Sequence, residues 1–153
     1  MKPTKGFTMS AVVLAASLAA SAVAAPSAQD YVTVRQAGFK KMATAYKALN
    51  DQLKSGSPNK AAIVASAQMV AATAREQPRL FPIGSGPAGG VKTDALPAIW
   101  TDRSNFDVQM AKLVGETTKL ASLANGGDID AIRAQTKATG AVCGACHRAF
   151  RAD

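Results

Sequence analysis

Apolar positions recur along most of this chain at intervals of three and four, the spacing that lays one stripe along an α-helix. The first such stretch runs from Ala28 to Leu53. Val32, Arg35, Phe39, Met42, Tyr46, Leu49 and Leu53 alternate three and four residues apart, in the register of a helix bundle. Ser55-Gly56-Ser57-Pro58-Asn59 is a turn cluster. Gly56 is expected to end the first helix and Ser57 to cap the second, with Pro58 in its first turn. The second helix spans about Lys60 to Glu76, with an inner stripe of Ile63, Ala67, Val70 and Ala74. Those small residues admit a close neighbour, and the short connection makes the pair antiparallel.

Gln77 to Leu96 breaks the pattern with Pro78, Pro82, Pro87 and four glycines. So long an irregular stretch in a compact domain is usually functional or mobile. Leu80 and Phe81 within it are expected to dock on the core, and the stretch reads as a crossover along the bundle. A third helix begins between Pro97 and Asp102 and continues to Ala124, with Phe106, Met110, Leu113, Thr117, Leu120 and Ala124 inward. Trp100, near its start, either faces a bound group or packs at the bundle end. Asn125-Gly126-Gly127 stops this helix, and Asp128 caps a fourth that runs to about Arg151. Ile132, Thr136, Thr139, Cys143, Cys146 and Phe150 form its stripe. The pattern predicts an all-α, antiparallel up-down four-helix bundle, with no strand alternation.

Composition changes this picture at one end. The chain has 153 residues, 48% hydrophobic and 18% charged, enough for one globular domain. Its first residues read differently. Lys2 and Lys5 form a basic start, Met9 to Ala20 an apolar Ala-rich run, and Ala22-Val23-Ala24 a small-residue cleavage site. This predicts a signal peptide over residues 1–24, cleaved to leave a mature bundle of residues 25–153 in the periplasm. The apolar run is too short to span a bilayer comfortably, and no later stretch qualifies, so no stable membrane insertion is expected. Losing Lys2 and Lys5 reduces the 18 Lys and Arg to 16, against 10 Asp and Glu. The charges are scattered, which argues against nucleic acid and suits a surface that steers acidic redox partners.

The chemistry is concentrated near the end of the chain. Cys143 and Cys146 are the two cysteines, and His147 is the single histidine. Cys-x-x-Cys-His is a c-type haem attachment signal. Two thiols three residues apart share a helix face, where they can form thioethers to the two vinyl groups of one porphyrin. The adjacent imidazole can then reach the iron. Other uses of these residues fit less well. A structural zinc site wants four ligands, and Cys and His supply three. A thioredoxin-like dithiol would follow a strand and open a helix. A plain disulfide leaves the neighbouring His without a reason. Because both cysteines fall on the inner stripe, a haem attached there would lie inside the bundle. Arg35 is the unusual member of its own stripe. Either it snorkels out at the bundle end, or it meets a haem propionate, for which a guanidinium is well suited. A core this rich in alanine would be thin without a haem, so the apoprotein is expected to be unstable or partly unfolded.

Taken together, these pieces resemble the class II c-type cytochromes, whose best-known members are the cytochromes c′. The resemblance covers the whole mature chain. It rests on Cys143-Gly144-Ala145-Cys146-His147 with basic Arg151 beyond, Val34-Arg35-Gln36-Ala37-Gly38-Phe39, Leu80-Phe81-Pro82, and Pro97-Ala98-Ile99-Trp100 followed by Phe106. A haem motif in the last helix is characteristic of that class. The resemblance implies one covalent haem c per chain, with His147 as proximal ligand, Arg35 near a propionate and Arg151 on the proximal side. In the family's low-spin branch a Met lies four residues after the first-helix Arg. Here that position is Phe39, which implies five-coordinate iron behind an apolar distal face. Met42, one turn on, is the alternative sixth ligand, and Met69 and Met110 are more distant candidates. Phe150 stands where many relatives have a Tyr. Electron transfer and binding of nitric oxide or carbon monoxide are the implied activities, and a homodimer through the first two helices is a family expectation. A low-spin Met/His electron carrier is the alternative within the family, and a haem-free thiol redox protein the alternative outside it. A peroxidase would need a distal acid–base group, and there is no second His to supply one.

Overall fold

The computed structural model of the protein describes residues 25–152; the segment read above as a signal peptide lies outside these residues. Four long helices and one short one follow each other: α1 (Ala28–Lys54), α2 (Lys60–Glu76), α3 (Ala98–Thr101), α4 (Arg103–Gly126) and α5 (Ile129–Phe150). Among the described residues there is no β-strand, only one isolated antiparallel bridge between Ala95 and Arg151. No helix described is long and apolar enough to cross a membrane.

The helix ends have local causes. Ser27 and Asp30 form a reciprocal capping box at the start of α1. The cap of α2 is Asn59, whose side chain accepts from the Ala62 N–H at 3.0 Å, not Ser57. Pro58 therefore precedes the cap. The end of α1 is also tighter than expected, because Ser55 ends it in an extended conformation and Gly56 is not left-handed. The other junction follows the sequence. Gly127 ends α4 at φ 82°, a left-handed conformation that glycine adopts without a Cβ penalty. Asp128 caps α5 by accepting from the N–H groups of Asp130 and Ala131.

The stripes assemble as the spacing requires, in two blocks. At one end Leu49, Leu53, Ile63, Ala67, Leu120, Ala124 and Ile132 make a closed four-helix core. Ala67 and Ala124 have no exposed surface, so small side chains let the helices approach closely here. Each large aliphatic group buried in this block contributes roughly 1.5–3 kcal/mol. The other end is built on Val70, Phe81, Phe106, Met110, Leu113 and Phe150. Its rings meet edge-on, Phe106 to Phe81 at 4.9 Å and to Phe150 at 5.3 Å between centroids.

The helices do not close evenly around this second block. α1 packs along α2, α2 along α4, and α4 along α5, but α1 and α5 barely touch. Three hydrogen bonds join α1 and α5 toward the closed end: Tyr46 Oη donates to the Thr136 carbonyl at 2.7 Å, and Arg133 donates to the Leu53 carbonyl from Nε at 3.2 Å and from Nη2 at 3.0 Å. Beyond Tyr46 the two helices part. The irregular segment covers the open end with two turns of 3-10 helix, Gln77–Leu80 and Pro87–Gly89. It returns alongside the end of α5, where Leu96 N–H donates to the Phe150 carbonyl at 2.9 Å and Ala152 N–H to the Asp94 carbonyl at 2.8 Å. Leu80 and Phe81 are buried, as their apolar character within a polar stretch requires.

Candidate functional site

The gap between α1 and α5 is a cavity of about 620 Å³. Its walls are largely apolar, with Phe39 and Met42 from α1, Val70 from α2, Phe81 from the crossover, and Phe106, Met110 and Leu113 from α4. The opposite wall is the last part of α5, which presents Cys143, Cys146 and His147. Seven of the residues singled out for the site from the sequence border this one space: Arg35, Phe39, Met42, Cys143, Cys146, His147 and Arg151. Phe39 borders it from α1 and the cysteines from α5. Of the more distant methionines, Met110 is buried in the lining, whereas Met69 is 38% exposed and lies elsewhere. Trp100 does not line the cavity. Its indole N–H donates to the Pro82 carbonyl at 2.9 Å, and its ring packs on Phe81 at the bundle end.

Both cysteines are free and half-buried. Burial pushes both thiols above their ordinary range, and their mutual proximity raises Cys146 further. They also stand near the C-terminus of α5, where the helix dipole disfavours an anion. Thiol redox sites work the other way, with the thiolate stabilised at a helix N-terminus or beside a cation. This pair is therefore poorly placed for dithiol exchange. His147 is exposed at the edge of the cavity. Partial burial lowers its pKa, and Arg151 lowers it further, so the imidazole is neutral at neutral pH with a lone pair to donate.

Arg35 does not snorkel: it is 2% exposed. Its guanidinium lies 4.7 Å from the centroid of the Phe81 ring and 5.8 Å from that of Trp100. Nη1 donates to Ser85 Oγ at 3.0 Å and, at a longer 3.4 Å, to the Leu80 carbonyl; Nη2 donates to Thr93 Oγ1 at 2.9 Å. A guanidinium has five N–H groups, so the Nε–H and one Nη2–H are left without an acceptor among the described residues. No carboxylate pairs with it there, and burial lowers its pKa. A buried cation with spare donors on the wall of an apolar cavity is chemically a receptor for an anion. Two thiols and an imidazole on one helix, apolar walls and one buried unpaired cation together fit a flat apolar macrocycle that carries carboxylates.

Some of this lining had little sequence signal. Tyr46 is held against α5 because residue 140 is glycine: a Cβ there would stand 2.6 Å from Tyr46 Oη. The substitution Gly140→Ala should push the phenol off the Thr136 carbonyl and cost about 1–3 kcal/mol. Chemical denaturation of Gly140→Ala and of Gly140→Ala/Tyr46→Phe checks this, and the second change should recover part of the loss. Thr93 to Ala95 reach the cavity only through their pairing with the end of α5. Nothing in their local sequence signalled that position.

Comparison with known proteins agrees with this arrangement. The family model described as Cytochrome C′ matches residues 30–151. A cytochrome c′ of Rhodospirillum rubrum is 35% identical over 147 residues, covering 95% of this chain and 97% of that one. The crystal structure of cytochrome c′ from Thermochromatium tepidum superposes with a TM-score of 0.79 at 30% identity, over 85% of this chain and all of that one. A nitric oxide complex of a point variant of Alcaligenes xylosoxidans cytochrome c′ gives a TM-score of 0.75 at 28% identity, over 82% and 97% of the two chains. A further cytochrome c′, described as having ligand-controlled dimer dissociation, gives a TM-score of 0.79 at 27% identity, over 85% of this chain and all of that one.

Proposed function

Since this chain belongs to the cytochrome c′ family, we propose that it is a periplasmic mono-haem cytochrome that exchanges single electrons and binds small neutral gases. The cofactor of the family is haem c, covalently attached, and when bound it supplies a one-electron ferric/ferrous couple and an iron site for diatomic ligands. The observation that carries the reading is the convergence of Cys143, Cys146 and His147 on one apolar cavity that Phe39 also lines. The two thiols would hold the group, and the imidazole of His147 would offer its lone pair to the iron. Arg35 would offer its spare N–H donors to a propionate, and Arg151 would stay beside the His147 imidazole. Phe39 and Phe81 close the distal side with rings 6.4 Å apart. Neither ring offers a lone pair or moves a proton, which supports a five-coordinate, non-enzymatic centre that admits small apolar ligands.

A second reading rests on Met42. Its side chain is 7% exposed and borders the same cavity, one helical turn beyond Phe39. A thioether reaching the distal side would make the protein a low-spin electron carrier. The optical spectrum separates the two, taken ferric, dithionite-reduced and under carbon monoxide. High-spin bands that shift under carbon monoxide are expected, whereas low-spin bands unmoved by carbon monoxide would overturn the five-coordinate reading. Phe39→Met should convert the first spectrum into the second, since it puts a thioether at the position the low-spin branch uses. Export by the 1–24 segment predicts a mature N-terminus at Ala25, which mass spectrometry of periplasmic protein reads directly. The homodimer expected of the family is read by sedimentation with and without carbon monoxide.

A further inference from the structure

The charges on this chain are unevenly distributed, and part of the imbalance falls at the cavity. Residues 31–50 of α1 and 131–152 at the other wall carry eight lysines and arginines and no aspartate or glutamate. The rest of the chain from residue 25 carries eight cations against ten carboxylates. Four of those eight border the cavity, Arg35, Lys40, Lys47 and Arg151, whereas Arg133 lies toward the closed end against Asp130. Lys40, Lys47 and Arg151 line the cavity mouth and are exposed, with Asp94 the one carboxylate beside them. Lys47 also pairs with Asp51 at 2.6 Å, an exposed contact that solvent largely screens.

Three kinds of partner could meet such a face. Nucleic acid wants a continuous basic track, whereas these cations flank a depression. An anionic membrane wants exposed apolar side chains among the cations. The large exposed apolar residues described are Val34, Met69, Ile83 and Val108, and none of them lines the mouth. A carboxylate-rich protein needs only complementary charge and an opening that lets two redox centres approach. We infer that the α1–α5 mouth is the docking face for an acidic electron-transfer protein, with Lys40 and Lys47 meeting its carboxylates. This rests on the electron-transfer reading above.

The test uses the haem-loaded chain and a flavodoxin, an acidic one-electron carrier, as the probe. A zero-length carbodiimide joins amines to carboxylates in contact, and the joined peptides are mapped by mass spectrometry. Cross-links from Lys40 and Lys47 should dominate at low salt and fade as salt is raised past physiological ionic strength. Lys40→Glu/Lys47→Glu should lower both cross-linked yield and the flavodoxin-driven reduction rate roughly tenfold at low salt. Lys112→Glu/Lys119→Glu, an equal charge change on α4, should leave both within about twofold. If the reversed pair folds poorly, Lys40→Gln/Lys47→Gln should show a smaller loss in the same direction. Equal losses in the α1 and α4 variants, or cross-links spread evenly over Lys60, Lys112 and Lys119, would overturn the proposal. So would sedimentation with phosphatidylglycerol vesicles that needs Lys40 and Lys47 without any flavodoxin cross-link. A chain that cross-links at Lys40 and Lys47 but carries no covalent haem removes the electron-transfer reading and keeps the face. A haem-loaded chain without cross-links does the reverse.

Discussion

The double substitution Cys143→Ser/Cys146→Ser should abolish covalent haem attachment, leaving no haem-stained band on a denaturing gel and no haem mass on the intact chain. The same change should cost much of the fold. The cavity of about 620 Å³ would lack the group that fills it, and core space left unfilled costs packing free energy. A typical domain has only about 5–15 kcal/mol to lose. The walls would collapse or admit water, and the block around Phe81, Phe106 and Phe150 would lose its packing first. The closed block around Leu49, Ile63 and Ile132 should hold longer. Hydrogen exchange should therefore show protection retained near Leu120 and lost near Met110 and Cys143. Either single substitution should leave one thioether and an intermediate loss. A double variant that keeps stained haem would remove the attachment reading outright.

Helical spacing made the bundle legible because each inner stripe has only one way to be buried. Val32, Leu49 and Leu53 on α1, and all six inner positions of α4 from Phe106 to Ala124, are buried in the register their spacing requires. The site was legible for the same reason, since Cys143 and Cys146 extend the stripe of Ile132, Thr136 and Thr139. What the spacing could not give was the geometry between elements. The choice between Ser57 and Asn59 as cap depends on where the first turn closes, and either side chain could have done it. The crossover from Gln77 to Leu96 has no period, so its 3-10 turns, its pairing with the end of α5 and the burial of Ser85 follow from tertiary contacts alone. The uneven closure of the helices is also invisible along a single chain. Four stripes imply a bundle, but they do not say which pair of helices stays apart, and here it is α1 and α5.

Arg35 carries the second large effect, because one side chain organises both the crossover and the cavity wall. Arg35→Met keeps much of the length and removes the charge and every donor. Ser85 Oγ still donates to the Pro82 carbonyl at 2.9 Å, and Thr93 Oγ1 still accepts from Ala95 N–H at 3.2 Å. The hydroxyls are therefore not orphaned, and the loss should be about 2–4 kcal/mol rather than the full cost of three buried unpaired groups. At this chain length each kcal/mol moves Tm by about 2–4 °C. Protection from hydrogen exchange should fall between Leu80 and Thr93 and stay unchanged in α4. The charge gives a separate readout in the haem-loaded protein. A nearby cation disfavours ferric iron relative to ferrous, so removing it should lower the reduction potential. Arg35→Lys separates the two roles, because a lysine keeps the charge but cannot reach three acceptors from one planar group. It should hold the potential close to that of the parent while losing part of the stability. A potential unmoved in Arg35→Met would mean that Arg35 serves only the crossover, and its pairing with a propionate would be withdrawn.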